Sequence, residues 1–483
     1  MVPKYYSRIV IGGMAGDSGK TLISCGLIAS FISRGIKVSA FKKGPDYIDA
    51  AWLSLASGKP ARNLDTFMMG FPAAKNSFLK NADENGINLI EGNRGLFDGV
   101  NSKGTHSTAE LAKLLRSPVI IVQDISKVTR TAAASIAGCV TLGRELNIVG
   151  VILNRAGSER HAKIAKNAIE GETGVPVLGI IPKLPPKLIL PDRYLGLITP
   201  EEFEMKSDFM LNIKNIIEYD VDVSSIIKKS INAPPIEINN ENDDRKENLV
   251  SSFEIGGSNE TRDKVSIGYF KDKAFSFYYP ENLETLKNSG ADLIPISAED
   301  FMELDNLDAL YIGGGFPELN LTELVSNKDL NEKVKTLAEE GLPIYAECGG
   351  LIYLAEAVIK KRNEFKLSGV LPIKIRMHER PQGHGYCEAV VDSANPFFEK
   401  GTKITGHEFH YSNIYKKAPG LRSSLSLSRG VGCFDQRDGI IYKNVFASYV
   451  HVHATATPEW AAGMINCARK YKCSKTSRLV GIN

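Results

Sequence analysis

Two kinds of hydrophobic pattern alternate along the first 200 residues. Stretches with apolar residues at helical spacing include 22–28 and 107–115. Between such stretches lie short apolar runs without polar alternation, at 9–11, 118–122, 149–153 and 176–181. Strands that are apolar on both faces belong in a parallel sheet with helices packed on both sides. The pattern therefore predicts an α/β domain.

The first apolar run leads directly into a glycine-rich segment, Gly-Gly-Met-Ala-Gly-Asp-Ser-Gly-Lys-Thr, which ends at Thr21. In a phosphate-binding loop the backbone N–H groups surround the phosphate oxygens. Lys20 would contact the β and γ phosphates, and Thr21 would offer its hydroxyl to Mg²⁺. The segment predicts a nucleotide site made by Gly13, Gly16, Asp17, Ser18, Gly19, Lys20 and Thr21.

The spacing of this loop does not decide which glycine is its first. Counted from Gly13, five residues precede the Gly-Lys pair, whereas the usual pattern has four. Either Gly13 is the first glycine of a longer loop, or Gly16 supplies the turn of a shorter one.

Carboxylates follow two further strand patterns of this domain. The strand pattern at 37–41 continues into Lys-Lys-Gly-Pro-Asp46, and the pattern at 88–90 continues into Glu91. Ligands of α/β sheets bind at the carboxyl ends of the strands. A carboxylate at the tip of a buried strand commonly holds Mg²⁺ in a nucleotide site. We therefore expect Asp46 and Glu91 to bind Mg²⁺ together with Thr21.

The strand pattern at 149–153 ends at the same edge with a polar side chain, Asn154. Asn154 resembles an adenine-reading residue of P-loop folds, and a helix cap is the alternative.

The polar content of the chain changes after residue 200. Residues 201–230 could hold a helix, and 231–263 are polar and poor in aromatic residues, which is typical of a linker. A second globular pattern begins with an apolar run at 265–270. We predict a P-loop domain at 1–200, a helical extension and linker at 201–263, and a second α/β domain at 264–483.

The second domain contains a cysteine at a predicted strand-to-helix turn. A strand pattern at 308–312 runs into three glycines, and a second pattern at 342–347 runs into Cys348 followed by two glycines. This is the turn that exposes a nucleophile at a helix N-terminus. The helix dipole and nearby N–H groups would favour a thiolate there. Cys348 is the candidate nucleophile.

A late strand pattern at 447–453 offers a base for this cysteine. It carries two histidines, His451 and His453. A cysteine nucleophile is activated by an adjacent base. We expect only one of the two histidines to face Cys348.

Composition excludes some classes of function. The net charge of +3 is small for 483 residues, so charge gives no argument for a nucleic-acid or membrane partner. The seven cysteines are scattered, which disfavours a disulfide framework or a zinc site. Because we find neither a signal-peptide pattern nor a membrane-length apolar run, we expect a cytoplasmic protein.

Several motifs occur together in one order. The first half, with Gly-x5-Gly-Lys-Thr, Lys-x-Gly-Pro-Asp-Tyr-Ile-Asp and Glu-Gly-x-x-Gly-Leu-x-Asp-Gly, resembles a dethiobiotin-synthetase-like ATPase. The second half, with Gly-Gly-Phe-Pro-Glu, Ala-Glu-Cys-Gly-Gly-Leu and Ser-Tyr-Val-His-x-His, resembles a class I glutamine amidotransferase domain. Together they resemble the cobyrinic acid a,c-diamide synthase family, with nickel-sirohydrochlorin a,c-diamide synthase as a close relative.

The resemblance implies a ligase that uses ATP, Mg²⁺ and L-glutamine. Members phosphorylate two acetate carboxylates of a tetrapyrrole polycarboxylate in turn and displace each phosphate with ammonia. Asp98 would position the substrate carboxylate or the intermediate. Cys348 would attack the glutamine amide with His451 as its base. The oxyanion would be held by N–H groups of Gly314, Gly315 and Gly349.

The resemblance also leaves points open. Many class I amidotransferases have a glutamate two residues after the catalytic histidine, but this chain has His453 there, so the orienting partner of His451 is unassigned. The Asn93-Arg94 pair, through Arg94, and the segment 127–131 put positive charge at the ligand edge, where they would contact ATP phosphates, ring propionates or only solvent.

The reaction and its substrate have alternatives too. Cobyric acid synthase-type amidation of other side chains of the ring is the closest one, and a non-enzymatic P-loop protein is another. The sequence does not separate a cobalt corrin from nickel-sirohydrochlorin. Relatives commonly pair, so a homodimer is compatible with the resemblance.

Overall fold

The computed structural model describes residues 2–193, 196–238, 264–300 and 304–480. The chain divides into two compact units, Met1–Asp244 and Arg245–Asn483. Of the predicted linker, residues 239–263 lie outside the described residues.

The first unit alternates strands and helices. Its strands are β1 (Val2–Lys4), β2 (Arg8–Gly13), β3 (Val38–Lys43), β4 (Arg62–Leu64), β5 (Ile87–Glu91), β6 (Pro118–Asp124), β7 (Asn147–Ala156), β8 (Val177–Pro182), β9 (Asp192–Arg193), β10 (Gly196–Leu197) and β11 (Ile236–Ile238). Its helices are α1 (Lys20–Ser33), α2 (Tyr47–Ser57), α3 (Gly70–Asn81), α4 (Thr108–Leu114), α5 (Arg130–Leu142), α6 (Glu159–Thr173), α7 (Lys206–Asp220) and α8 (Val223–Ile231).

A parallel sheet with apolar cores on both faces forms the centre of this unit. Within the described residues its strand order is β4-β3-β5-β2-β6-β7-β8, and each neighbouring pair is parallel. Successive side chains of a strand point to opposite faces. Accordingly, Ile9 and Ile11 pack in the core with α1 and α7, whereas Val10 packs in the core with α4, α5 and α6. The predicted parallel α/β arrangement is confirmed.

The segment after residue 200 forms two helices rather than one, and both pack against the first unit. Phe209, Ile213 and Ile217 of α7 are buried in the same core as α1. The two helices approach closely because α1 has a glycine at the contact. A Cβ on Gly26 would lie 2.4 Å from Ile217 Cγ1 and 3.1 Å from the Ile213 carbonyl oxygen.

The second unit contains a larger, mixed sheet. Its strands are β12 (Val265–Phe270), β13 (Ala291–Ile296), β14 (Ala309–Ile312), β15 (Ile344–Glu347), β16 (Ala355–Lys360), β17 (Asn363–Lys366), β18 (Leu371–Met377), β19 (Gly383–Val391), β20 (Lys403–His410), β21 (Ser412–Lys417), β22 (Arg422–Arg429), β23 (Arg437–Tyr442) and β24 (Val445–Ser448). Its helices are α9 (Pro280–Asn288), α10 (Leu321–Ser326), α11 (Lys328–Glu339), α12 (Gly349–Leu354) and α13 (Glu459–Val480).

The pairing changes once, from parallel to antiparallel, across the mixed sheet. In the described residues its order is β13-β12-β14-β15-β24-β23-β22-β19-β20. The pairs from β13 to β24 are parallel, and those from β24 onward are antiparallel. A second sheet has the order β17-β16-β18-β21. The carboxyl ends of β14, β15 and β24 therefore meet at one edge.

Replacing Gly26 by Ala should destabilise the protein by about 1–3 kcal/mol, because the added methyl group overpacks the contact between α1 and α7. Gly138 of α5 is the matched control. A Cβ there meets nothing within 4 Å, so Gly138→Ala should stabilise by about 0.5–1 kcal/mol through helix propensity. Urea unfolding measures both, and equal effects of the two substitutions would contradict the packing of α7 on α1.

Candidate functional site

The glycine-rich segment forms a loop between β2 and α1. Gly19 has a φ of 91°, which favours glycine. A Cβ on Gly13 would lie 2.6 Å from Ser18 Oγ and 2.8 Å from Lys20 Nζ, whereas a Cβ on Gly16 would meet nothing within 4 Å. Gly13 is therefore the first glycine of a longer loop, and the turn does not depend on Gly16.

Lys20 folds back across this loop. Its Nζ donates to the Ala15 carbonyl oxygen at 2.9 Å and lies 3.4 Å from Ser18 Oγ. Burial, followed by the nearby ammonium of Lys42, lowers the pKa of Lys20. A phosphate at the loop would offer this ammonium a charged partner in place of a carbonyl oxygen.

Asn154, near the end of β7, forms a hydrogen bond with the loop. Its Nδ2 donates to the Ser18 carbonyl oxygen at 2.9 Å, and the side chain is buried. A Cβ on Gly19 would lie 2.2 Å from that Nδ2, so the glycine lets the amide approach. Asn154 is not a helix cap, because Ser158 caps α6. Its contact with adenine remains a prediction.

A buried group of charges lies beside the loop. Lys42 Nζ lies 2.8 Å from Glu91 Oε1 and 2.6 Å from Asp49 Oδ2. Thr21 Oγ1 lies 2.9 Å from Glu91 Oε1 and 3.2 Å from Asp49 Oδ1. Lys42 and Glu91 are directly paired in the register of β3 and β5. The structure thus brings together Thr21 and Glu91, as expected, and adds Asp49.

Asp46 has a different position from the one expected. Its Oδ1 accepts the N–H of Asp49 at 2.8 Å and caps α2. Burial and then the charge of Asp49 raise the pKa of Asp46 to about 7. Sequence reasoning missed Asp49, although its place as the last carboxylate of Lys-x-Gly-Pro-Asp-Tyr-Ile-Asp, one turn into a capped helix, was a usable signal.

The donor set beside the loop fits Mg²⁺. Glu91 Oε2 is buried and has no hydrogen-bond partner in the structure. Mg²⁺ in nucleotide sites takes one or two carboxylates and completes its shell with phosphates and water. Within the described residues no three His, Cys, Asp or Glu side chains form a metal cluster by themselves. Thr21, Asp49 and Glu91 could therefore hold the ion only in company with phosphate oxygens.

Asp98 lies on a loop that packs against the nucleotide loop. Leu96 N–H donates to the Gly13 carbonyl oxygen at 2.7 Å. The Asp98 Oδ2 accepts the N–H of Gly95 at 2.9 Å, and the side chain is exposed. The carboxylate is thus held beside the phosphate site and open to a substrate.

Cys348 occupies the sharp turn predicted for a nucleophile. It joins β15 to α12 with a φ of 46° and a ψ of −94°, a strained backbone for a residue with a Cβ. Its N–H donates to the Ser448 carbonyl oxygen at 2.7 Å. The turn packs closely against the end of β14. A Cβ on Gly350 would therefore lie only 2.3 Å from the Ile312 carbonyl oxygen.

The prediction that the surroundings of Cys348 favour a thiolate is wrong. Burial, and then the carboxylates of Glu318 and Glu347, raise the pKa of Cys348, and the N–H of Gly349 offsets only part of this. The helix after the turn has six residues, so its dipole is small. These surroundings favour the thiol over the thiolate, so a nucleophilic role of Cys348 would depend on a base.

Glu347 orients His451. The His451 Nδ1 lies 3.2 Å from Glu347 Oε2, and the Val452 N–H donates to Glu347 Oε1 at 3.3 Å. Both side chains are buried. A carboxylate oxygen accepts hydrogen bonds, so this contact favours the tautomer with the proton on Nδ1. The partner that sequence reasoning left unassigned is the residue directly before the cysteine.

His453 lies apart from this pair. β24 ends at Ser448, so the predicted strand through 453 is wrong and both histidines follow the strand. His453 packs on the ring of Tyr279, with centroids 4.7 Å apart, and its Nε2 lies 3.5 Å from Glu281 Oε2. Of the two histidines, His451 is the one that contacts Glu347, the residue directly before Cys348.

Glycines of the β14 loop lie between the histidine and the cysteine turn. A Cβ on Gly314 would lie 2.5 Å from His451 Cε1 and 3.3 Å from its Nε2. A Cβ on Gly349 would lie 3.0 Å from the Gly315 nitrogen. The predicted oxyanion glycines are thus in contact with each other and with the base. Gly313 donates its N–H to the Tyr278 hydroxyl at 2.8 Å instead.

Comparison with known proteins identifies both halves of the chain. The model of the CobQ/CobB/MinD/ParA nucleotide binding domain matches residues 9–188. The model of the CobB/CobQ-like glutamine amidotransferase domain matches residues 266–459.

Full-length relatives extend this match. A cobyrinate a,c-diamide synthase of Magnetococcus marinus is 40% identical, over 95% of this chain and 97% of that protein. A protein of the same name from Archaeoglobus fulgidus is 38% identical, over 98% of this chain and 100% of that protein. One from Methanosarcina acetivorans is 35% identical, over 98% of this chain and 97% of that protein. The chain belongs to the cobyrinate a,c-diamide synthase family.

Membership of the cobyrinate a,c-diamide synthase family confirms the resemblance and the fold class predicted from the motifs. It makes the chain a carbon–nitrogen ligase. The chain has a nucleotide-binding domain for ATP and a glutamine amidotransferase domain, for which glutamine is the nitrogen donor. Among the helices that the structure describes, none has the length and apolar character needed to cross a membrane.

Replacing Lys42 by Met should destabilise this cobyrinate a,c-diamide synthase homologue by about 3–5 kcal/mol, because it leaves the buried Glu91 carboxylate without its cation. Lys43→Met is the matched control, since no carboxylate in the described residues lies within 4 Å of the Lys43 ammonium. Urea unfolding should show little loss for the control. Equal losses would contradict the assigned ion pair.

Proposed function

We propose that this chain amidates the a and c acetate carboxylates of a tetrapyrrole, cobyrinic acid or nickel-sirohydrochlorin, in an ATP- and glutamine-dependent reaction. The observation that carries the proposal is the presence of two complete constellations in one chain. One is the nucleotide loop with its buried carboxylates, and the other is a cysteine with a base and an orienting carboxylate. The names of the full-length relatives support cobyrinate as the substrate class.

The first unit would carry out the activation step. A substrate acetate oxygen attacks the γ-phosphorus of ATP, the bond to the β-phosphate oxygen breaks, and an acyl phosphate and ADP result. Lys20 and the loop N–H groups bind the phosphates, and Asp98 positions the acetate. Thr21, Asp49 and Glu91 would hold Mg²⁺, which when bound neutralises phosphate charge. Ammonia then attacks the acyl carbon, and phosphate leaves.

The role of Asp46 as a magnesium ligand stays part of the proposal. The contacts described above support a more indirect role, in which the Asp46 cap fixes the start of α2 and so holds Asp49 toward Thr21.

The second unit would release ammonia from glutamine. The Nε2 of His451 takes the Sγ proton of Cys348 while Glu347 accepts the Nδ1 proton in a hydrogen bond. The sulfur attacks the amide carbon, and N–H groups of Gly315 and Gly349 stabilise the oxyanion. His451 returns the proton to the departing ammonia, and water hydrolyses the thioester.

Replacing Cys348 by Ala should abolish amidation with glutamine and leave amidation with added ammonium salts. The reason is that the nucleophile serves only the release of ammonia. Loss of both reactions in a folded Cys348→Ala protein would contradict this division of labour. Cys473→Ala, which removes an exposed cysteine of α13, is the control and should retain both reactions.

Replacing Glu347 by Gln should lower the glutaminase kcat by about 10²–10⁴-fold with little change in the KM for glutamine, because the histidine loses its orienting acceptor. Ammonia-dependent amidation should stay unchanged. The pH profile of kcat should also shift, since the carboxylate no longer stabilises the protonated imidazole. An unchanged pH profile and kcat would remove Glu347 from this role.

Mass spectrometry of the products tests the whole proposal. The purified protein is given ATP, Mg²⁺ and glutamine, with cobyrinic acid in one tube and nickel-sirohydrochlorin in another. Each amidation replaces a hydroxyl by an amine and lowers the mass by about one unit, so a,c-diamide formation gives a loss of about two. A larger loss would favour cobyric acid synthase-type amidation. No shift in either tube, with glutaminase activity present, would refute both substrates.

A further inference from the structure

Three aromatic rings pack together at the carboxyl edge of the first unit's sheet. Phe67 follows β4, Phe71 lies in the first turn of α3, and His106 precedes α4. The rings of Phe71 and His106 are stacked, with centroids 5.1 Å apart and an interplanar angle of 23°. Phe67 packs edge-on to His106 at 5.5 Å. All three side chains are partly exposed, and we call them the aromatic patch.

His106 is held rigidly in this patch. Its Nδ1 lies 3.1 Å from Thr66 Oγ1, and its backbone N–H donates to Glu110 Oε2 at 2.8 Å. Its φ of 61° is uncommon for a residue with a Cβ. The ring is held by one hydrogen bond and the backbone of the same residue by another, so this partly exposed ring is preorganised, and backbone strain of this kind clusters at ligand-binding positions.

A buried ammonium lies at the same edge. Lys43 ends β3, directly paired with Leu64 of β4, and only 4% of its surface is exposed. No carboxylate in the described residues lies within 4 Å of its Nζ, in contrast to Lys42. A buried charge without a partner is costly. An anionic ligand would supply that partner.

The charged groups around Lys43 are consistent with an anion. Lys42 and Arg94 add positive charge, and Asp65 contributes the opposing negative charge. Asp65 Oδ1 already accepts the N–H groups of Phe67 and Met68, at 2.9 Å each. The Asp65 carboxylate thus shapes the turn that carries the patch.

Strand order places the patch, the ammonium and Asp98 at one edge. β4 and β3 are neighbours, and Phe67 comes three residues after the end of β4. The loop that carries Asp98 closes on itself, since the Val100 N–H donates to the Thr105 carbonyl oxygen at 2.9 Å, and it leads directly to His106. The patch therefore continues from the loop on which Asp98 lies.

From this juxtaposition we infer that the aromatic patch binds the flat face of the tetrapyrrole ring and that Lys43 binds one of the ring's carboxylates. A planar, apolar ring with carboxylates at its periphery matches an aromatic surface bordered by a buried ammonium. This inference rests on the proposed function and adds the binding surface to it. It assigns Phe67, Phe71, His106 and Lys43 to substrate binding, outside the reacting groups.

Equilibrium dialysis of the full-length protein with cobyrinic acid, without ATP, tests this surface. Phe71→Ala and Lys43→Met should each weaken binding about tenfold, a typical loss for one aromatic or charged contact. Phe71→Leu keeps apolar volume without the ring and should weaken binding less. Tyr219→Ala, which removes a ring that is 91% exposed on α7, is the control and should bind like the wild type.

The affinity for ATP separates the outcomes. It should be unchanged in every variant, which also shows that the variants are folded. If Lys43→Met weakens ATP binding and leaves cobyrinic acid binding unchanged, Lys43 binds phosphate and the inference is overturned. Unchanged cobyrinic acid affinity in Phe71→Ala overturns it as well. If the wild type neither binds nor amidates cobyrinic acid or nickel-sirohydrochlorin, the proposed function fails instead.

Discussion

In each unit, a buried carboxylate at the end of a parallel strand is paired with a side chain on the neighbouring strand or just beyond it. In the first unit, Lys42 of β3 neutralises Glu91 of β5 at the point where the two strands are in register. In the second, Glu347 of β15 holds His451, which follows β24. Since an uncompensated buried charge is strongly destabilising, the Lys42–Glu91 pair favours the register in which these two residues lie side by side. The fold and the site therefore depend on the same contacts.

In the first unit, the two lysines of the nucleotide site have partners within the protein. Lys20 donates to the carbonyl oxygen of Ala15 within its own loop, and Lys42 is shared by two carboxylates. Nucleotide binding must exchange the first of these contacts for phosphate. The exchange is favourable because a hydrogen bond between an ammonium and a phosphate is stronger than one to a neutral carbonyl oxygen. The resting contacts keep the loop in shape until the phosphate arrives.

Local patterns were sufficient to predict the nucleotide loop and the cysteine turn, because each is encoded by adjacent residues. Asp49 and Glu347 were not assigned, since their partners are 28 and 104 residues distant. The predicted strand through 453 was wrong for a tertiary reason as well. Asp438 accepts the N–H groups of Tyr449 and Val450, so the chain leaves β24 after Ser448. Sequence periodicity does not indicate that a side chain elsewhere in the chain will bind these N–H groups.

Glu347, the glutamate that contacts His451, also disfavours a thiolate at Cys348. Glu347 lies next to the cysteine in sequence, where its charge raises the pKa of the thiol, and it contacts His451 directly at 3.2 Å. In the proposed mechanism the proton of Cys348 moves to Nε2 of His451, and the imidazolium that results is stabilised by the Glu347 carboxylate. A thiolate formed without that transfer has no such compensation. Activation in this mechanism therefore depends on the histidine rather than on the short helix.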